Sequence, residues 1–279
     1  MNNTFDFNRF GKLLAFDGRK YLRNFGLTLA ILCGIPIIGW LLTLIFGFTM
    51  PTLPRWGGIY LAMFLGIILI PAKAFGDINL SREGVRFAML PVSNLEKYLS
   101  YELFCLLTPV IIIFGSWAVD SLLTLLPFGG FTHYIKSFSF GGIMESFMLE
   151  IGEMAGEDLT SDENVDMFLN MFGPGYTINM IVGLFFSTGL FMFGNLLFKT
   201  HKTGKTLACM IGISYVLSMI MQIVLIASGQ SFFTNPENID VSMISDFSNR
   251  SLMINNIMHI LLVIGLYIGL FFKLKTQKY

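Results

Sequence analysis

Charged side chains are scarce in this sequence of 279 residues. They make up 13% of the chain, whereas hydrophobic residues make up 54%, and the mean hydropathy is +0.69. Soluble domains usually carry about 25% charged residues. The composition therefore excludes an ordinary soluble domain and predicts a chain that lies in a membrane.

Cysteine is also rare. Cys33, Cys105 and Cys209 each lie in an apolar run without CxxC or Cys/His spacing, so neither a disulfide nor a metal site is expected. Because buried free cysteine behaves as a small hydrophobe, we expect all three in the core. The sequence also lacks a serine, cysteine or histidine constellation for nucleophilic catalysis. No enzyme activity, cofactor or nucleic-acid partner is predicted.

The N-terminus lacks a short apolar core followed by a small-residue cleavage site, so a removable signal peptide is not expected. Residues 5–24 instead carry five cations, most of them on one helical face: Arg9, Lys12, Arg19, Lys20 and Arg23. Most of the apolar side chains lie on the opposite face. The pattern has two interpretations, an interfacial helix along the membrane surface or a basic leader that holds the first span in register.

Six apolar segments approach or exceed the roughly 20 helical residues needed to cross a bilayer core of about 30 Å. They are residues 25–48, 57–72, 98–126, 176–198, 206–229 and 251–272. The second is short, but the long side chain of Lys73 can reach the interface. We therefore predict an all-α integral membrane protein, with one transmembrane domain over residues 1–279 and an outer loop at 127–175.

The basic residues are segregated. With alternate loops on alternate sides, one side collects 15 of the 18 Lys and Arg residues, and the other holds 12 of the 18 Asp and Glu residues. Cations in short loops stay in the cytoplasm. Both termini are therefore predicted to be cytoplasmic, and an even number of spans agrees with this because it places both termini on the same side.

Two stretches resemble ligand sites. The acidic residues 145–166 lack the alternating ligands of a calcium loop, so we expect a solvated surface with a helix start at "SDEN". "HKTGKT", His201 to Thr206, resembles the end of a P-loop, but Lys199 occupies the position of the required glycine. This stretch predicts a tight basic turn.

Few ionisable residues lie within the spans, where burying a charge is costly. Glu102 and Asp120 fall near opposite ends of the third span, and we expect both to reach headgroups or water. His259 lies in the last span, where it can stay neutral and bond a neighbouring helix. A proton relay would need several such groups at mid-depth.

The polar stretch "MLPVSNLEKYL", Met89 to Leu99, interrupts the apolar sequence. The residue before a proline avoids helical geometry, so a short amphipathic helix should end at Leu90. Ser93 and Glu96 have the spacing of a capping box, which predicts a new helix that becomes the third span. The stretch thus predicts a helix stop followed by a helix start.

Leu90, Pro91, Val92, Ser93 and Glu96 resemble an element of the type-two ABC exporter permeases of bacteria, in the loop between spans two and three. The six spans, the basic N-terminal helix and the cytoplasmic termini are similar as well. The resemblance implies a short cytoplasmic coupling helix that docks on a separate ATP-binding subunit. It also implies a second permease copy or homologue, a plasma-membrane location and these contact residues: Arg82, Glu83, Arg86, Leu90, Pro91, Ser93, Glu96 and Lys97.

One departure from that family is the polar stretch 230–250, because the family usually places re-entrant helices between spans five and six. Two other functions stay open from the sequence. A gradient-driven carrier or channel predicts polar groups at mid-membrane and paired repeats, and no clear repeat is present. A membrane anchor or sensor without a transport role would instead use the acidic outer loop.

Overall fold

The computed structural model describes most of the chain. The described residues are 5–79, 84–85, 87, 89–131, 134–135, 143, 146, 148, 162–228 and 241–276. Within them, the side chains of residues 162–174, 221, 224–228 and 241–250 are not part of the description. All regular structure in these ranges is helical.

Seven α-helices and one 3₁₀ turn follow one another along the described chain. The helices are α1 Phe7–Cys33, α2 Ile35–Phe46, α3 Thr52–Ala74, α4 Asn94–Thr124, α5 Asp162–Leu197, α6 Lys202–Ser228 and α7 Val241–Thr276. The 3₁₀ turn, Gly76–Asn79, follows α3. Helix α5 begins at Asp162, so the helix start predicted at "SDEN" is confirmed.

Six helical segments are long and apolar enough to cross a membrane. They are Phe7–Phe46, Thr52–Ala74, Asn94–Thr124, Gly175–Leu197, Lys202–Ile220 and Ser251–Thr276. Each overlaps one predicted span, so the prediction of a multi-pass membrane protein with six spans is confirmed. The first segment consists of α1 and α2, which meet at Gly34 because Pro36 lacks the backbone N–H that would continue the ladder.

The basic N-terminal segment and the start of the first predicted span form one continuous helix. Asp6 caps α1 by accepting a hydrogen bond from the backbone N–H of Asn8 at 2.8 Å, and the helix then runs unbroken to Cys33. Side-chain contacts link it to α4 at residues that stay between 83 and 90 positions apart: 6 with 96, 17 with 100, 21 with 108 and 32 with 116. A nearly constant separation means that α1 and α4 run parallel.

The described residues form two compact units. The first contains residues 1–135, 187–206 and 265–279, and the second contains 136–186 and 207–264. The core of the first unit is aromatic and aliphatic, with Phe25, Ile70, Tyr101, Ile112 and Leu270 almost completely buried. Helices α3 and α4 pack closely there, since a Cβ atom on Gly66 of α3 would overlap Cδ1 of Ile112.

The three cysteines differ in burial. Cys105 is fully buried in the core, as predicted, and Cys33 is half-buried. Cys209 is exposed, so the prediction of a core position is wrong for this residue. It lies in the part of α6 where most side chains, from Leu207 to Ile220, are uncovered.

Candidate functional site

The polar stretch between α3 and α4 ends one helical segment and begins another. Gly84, Val85, Phe87 and Met89 have helical backbone geometry, whereas Leu90 and Pro91 lie in a bend. At Ser93 the chain forms the predicted capping box. The Ser93 hydroxyl accepts from the Glu96 backbone N–H at 3.2 Å, and the Glu96 carboxylate accepts from the Ser93 backbone N–H at 2.8 Å. The predicted helix start is confirmed, whereas the short helix predicted before Leu90 falls largely on residues outside the described part of the chain.

Glu96 also binds the N-terminal helix. Its second carboxylate oxygen, Oε1, accepts from the Asp6 backbone N–H at 2.9 Å and from Nη2 of Arg9 at 2.7 Å. The carboxylate is fully buried, whereas about a quarter of the Arg9 side chain, 26%, is exposed. A carboxylate that only completes the capping box of its own helix makes no bond to Arg9, which belongs to another helix. Glu96 therefore joins the first turns of α1 and α4.

Two further polar contacts follow along the α1 and α4 pair. Ser100 Oγ donates to the buried Asp17 carboxylate at 2.6 Å. Deeper in, the hydroxyls of Tyr21 and Thr108 form a hydrogen bond at 3.0 Å. Because buried polar groups that lose their partners cost about 1–3 kcal/mol each, these contacts oppose sliding of one helix along the other.

Lys97 links α4 back to the bend. Its side chain is buried, and its ammonium lies 5.3 Å from the centroid of the Phe87 ring. A cation over an aromatic face is attracted by the ring quadrupole. The first turn of α4 is therefore attached on one side to α1 and on the other to the segment before Pro91.

The 3₁₀ turn is attached to three helices. Lys20 of α1 pairs with Asp77 at 2.9 Å, and Nζ of Lys202 in α6 donates to the Gly76 carbonyl. Asn79 donates to the carbonyl of Phe198, just after α5, at 3.0 Å. The turn predicted over His201 to Thr206 is confirmed only at its first residue, where His201 has a left-handed backbone with φ at 48°. Lys202 to Thr206 instead form the start of α6, so the prediction is wrong for them.

A second amide completes this connection from the α5 side. Asn195 donates to the Phe75 carbonyl at 3.2 Å and lies 3.2 Å from the Tyr101 hydroxyl. Tyr101 in turn donates to the Met192 carbonyl at 3.2 Å. The chain between α3 and α4 is thus bonded to α1, α4, α5 and α6 within the first compact unit.

A groove of about 230 Å³ opens beside this connection. It lies between α1, the 3₁₀ turn and the segment before Pro91. Charged and apolar side chains line it together: Phe16, Asp17, Lys20, Arg23, Asp77, Ile78, Phe87 and Leu90. Such a lining can accept a side chain of a partner protein that has an apolar stem and a charged end.

The structure separates the predicted contact residues by exposure. Ser93, Glu96 and Lys97 are covered by the chain itself, whereas Pro91 is exposed and Leu90 is half-buried. Met89, beside them, is 76% exposed. Arg82, Glu83 and Arg86 lie outside the described residues. The surface that the described part of the segment presents is therefore Met89 to Val92.

Sequence reasoning missed the partners of the segment. The sequence pattern marks Arg9 only as one of five cations and Asp17 only as an interruption of the apolar face, and it gives no signal at Asn79 or Asn195. No spacing rule could have paired them, because their partners lie between 83 and 120 positions away. The available signal was that polar residues recur within apolar sequence, where each needs a partner.

A buried ion pair lies at the other end of α4. Nε of Arg55 donates to the Asp120 carboxylate at 3.0 Å, and Nη2 binds the second oxygen. Both side chains are almost completely buried, and the Phe131 ring stacks on the guanidinium with its centroid at 4.3 Å. The expectation that Asp120 reaches headgroups or water is wrong, because Arg55 satisfies it within the protein.

Comparisons with protein-family models, curated proteins and solved structures find no match to this chain. The interpretation of the site therefore depends on its residues and geometry.

Proposed function

We propose that this chain is the membrane-spanning permease subunit of an ATP-driven ABC exporter. It would lie in the bacterial plasma membrane among lipids, with both termini in the cytoplasm. A second copy or a homologue would complete the pathway, and separate ATP-binding subunits would carry out the hydrolysis. The six apolar helices and the segregation of the basic residues support a transporter of this layout.

The observation that carries the proposal is the attachment of the segment between α3 and α4. Its exposed bend at Leu90 and Pro91 is continuous with a first turn of α4 that is bonded to α1 through Glu96 and Arg9. The same connection reaches α5 and α6 through Asn79 and Lys202. A displacement of the bend would therefore be transmitted to four helices rather than absorbed by a loop.

The partner would contact the bend and the groove beside it. Pro91 and Met89 offer an exposed apolar surface, and the groove offers charges of both signs. Arg82, Glu83 and Arg86 belong to the proposed contact as its charged residues. The proposed contact also includes buried residues, which would transmit a displacement of the bend to α4 rather than touch the partner. These residues are Ser93, Glu96 and Lys97.

The start of α1 would serve as a basic leader that holds the first span in register at the membrane surface, because α1 continues unbroken into that span. Arg9 and Lys20 are used in ion pairs, which leaves Lys12, Arg19 and Arg23 exposed at positions that share one helical face. Cations at this level attract anionic headgroups. Helix α4, which α1 follows in parallel, has 31 residues and a length of about 46 Å, so it exceeds a 30 Å bilayer core.

The test is to search the reading frames beside this one for a complete P-loop, to express the chain with the ATP-binding protein so found, and to isolate the complex in nanodiscs. We expect the two proteins to co-purify and ATP hydrolysis to rise several-fold over that of the ATP-binding protein alone. A coupled partner must bind two states of the permease differently. A partner with its P-loop lysine replaced is the matched control and should bind without hydrolysis.

Other outcomes identify the other functions. Neither binding nor stimulation would refute the exporter proposal. Transport driven by an ion gradient without ATP would indicate a carrier. Loss of function on deletion of residues 145–166, with the bend intact, would indicate an anchor or sensor that acts through the acidic loop.

A further inference from the structure

A polar cavity lies between α6 and α7 within the second compact unit. Its volume is about 320 Å³, at the lower end of the range for small-ligand sites. Five polar and two apolar residues line it: Ser214, Leu217, Ser218, Ser251, Leu252, Asn255 and His259. The polar groups come from one face of each helix, because they are spaced by four positions on α6 and by four and eight on α7.

All five polar residues belong to candidate membrane spans, Lys202–Ile220 and Ser251–Thr276. From Ser251 to His259 the lining covers eight positions, or about 12 Å of helix rise. Polar side chains in hydrocarbon are costly and usually mark a functional site. Helix packing in membranes also uses serine, asparagine and histidine, which hydrogen-bond across helices, but the hydrogen bond that His259 makes lies within α7.

The local contacts of His259 define what the cavity offers. Its Nδ1 lies 2.9 Å from the Asn255 carbonyl, and a carbonyl can only accept, so Nδ1 carries the hydrogen. In the neutral ring Nε2 is then an acceptor. The ring is held edge-to-face against Phe186, with centroids 5.6 Å apart. The expected bond to a neighbouring helix is replaced by this bond within α7.

The remaining groups are hydroxyls and one amide, which both donate and accept. None of the described lining residues carries a carboxylate, an ammonium or a guanidinium group. A ligand with a full charge would therefore find no counter-charge among these residues to offset its lost hydration. The cavity favours an uncharged group with several hydroxyls.

The surroundings of the cavity are apolar. Ile211 of α6 and Leu262 of α7 lie on the same helical faces as the lining residues and are exposed, at 64% and 37%. An acyl or alkyl chain can lie along such side chains while its polar end enters the cavity. From these observations we propose that the cavity between α6 and α7 binds the uncharged, polyhydroxylated headgroup of an amphiphile.

If the chain is an exporter, this amphiphile would be its cargo, and that statement alone rests on the proposed function. Binding itself is a property of the chain without an ATP-binding partner. The two proposals therefore fail separately, because the binding experiment uses the purified full-length chain and no nucleotide.

The experiment is native mass spectrometry of the chain in a zwitterionic detergent, with three lipid probes of equal chain length. The probes are glucosyl diacylglycerol, the anionic phosphatidylglycerol and a diacylglycerol methyl ether that lacks donors. We expect the glucosyl lipid to bind about tenfold more tightly than either of the others. Two neutral hydrogen bonds suffice for such a difference.

Variants locate the bound lipid. The double variant Ser214→Ala/Ser218→Ala should weaken binding of the glucosyl lipid by about tenfold. Tyr215→Phe removes a hydroxyl from an exposed neighbour that does not line the cavity, and its affinity should stay unchanged. Equal binding of all three probes, or equal effects of the two variants, would overturn the proposal. Size-exclusion chromatography of each variant verifies that the fold is retained.

Discussion

Arg9 and Glu96, 87 positions apart, form an ion pair at 2.7 Å that joins the first turns of two parallel helices. Glu96 is at the same time the residue that completes the capping box of α4 with Ser93, the N-cap residue. One carboxylate thus sets both the start of a span and the position of the N-terminal helix. This double use explains why an acid is fully buried here, since a buried charge needs both a counter-charge and hydrogen bonds.

The two functions of Glu96 can be separated by a double-mutant cycle. We expect Arg9→Met and Glu96→Gln each to lower the thermal unfolding temperature of the purified chain. The double variant should be little worse than the poorer single variant, because residues in contact are not additive. Lys12→Met removes an exposed cation of the same helix and serves as the control. Additive effects of the two substitutions would contradict the pairing.

Ser93 gives a test of the cap alone. Ser93→Ala should destabilise the start of α4 by about 1 kcal/mol, the usual value of an N-cap side chain, whereas Ser93→Asp should retain most of the stability. Hydrogen exchange at the backbone amide of Glu96, which donates to Ser93 Oγ, measures this directly. Unchanged protection of that amide in Ser93→Ala would show that the capping box does not form.

Substitutions in the buried ion pair of Arg55 and Asp120 should lower the stability of the chain more than substitutions at Ser93. Breaking such a pair from one side typically costs about 3–5 kcal/mol, because the remaining charge is left without a partner. We therefore expect Asp120→Asn and Arg55→Met each to aggregate or to unfold at a much lower temperature. The double variant Arg55→Met/Asp120→Leu should recover part of the loss. Lys199→Met, at an exposed cation, is the control.

Topology is tested with single thiols in a chain whose Cys33, Cys105 and Cys209 are replaced by alanine. Asp162→Cys, at the first residue of α5, should react with a membrane-impermeant maleimide in intact cells. Thr200→Cys, exposed in the turn between α5 and α6, should react only after the cells are opened. The reverse pattern would place both termini outside and would remove the basis for a cytoplasmic partner.

Pro91→Ala separates the proposed lever from a purely structural bend. Removing the restriction on Leu90 lets the short helix continue toward Ser93. We expect normal insertion and normal binding of the ATP-binding subunit, but a severalfold smaller stimulation of hydrolysis. Pro127→Ala, at an exposed proline after α4, should leave stimulation unchanged. A misfolded third span in Pro91→Ala would support the structural interpretation instead.

Local chemistry accounts for the parts of the fold that were predicted. Hydropathy over about 20 residues identified six spans, and the spacing of Ser93 and Glu96 identified the cap, because both depend on neighbours in sequence. The continuity of the basic segment with the first span escaped prediction. Helix α1 has no proline between Phe7 and Cys33, but the amphipathic pattern of its first part favours a separate element.

The burial of Asp120 and the exposure of Cys209 show where such reasoning stops. An acid near the end of a span reaches water in the absence of a partner, and the partner here, Arg55, precedes it by 65 positions. A cysteine in an apolar run is buried only if another helix covers its face. Both outcomes depend on which helices pack together.

By itself, the sequence determined that this chain is a helical membrane protein with six spans and that a helix begins at Ser93. Hydrophobic length and capping are local quantities, so they can be read along the chain. Only the tertiary structure decided that Glu96 meets Arg9, that Asp120 meets Arg55, and that five polar side chains of α6 and α7 share one cavity. Those contacts join residues far apart in sequence, and their partners are set by the register at which the helices pack.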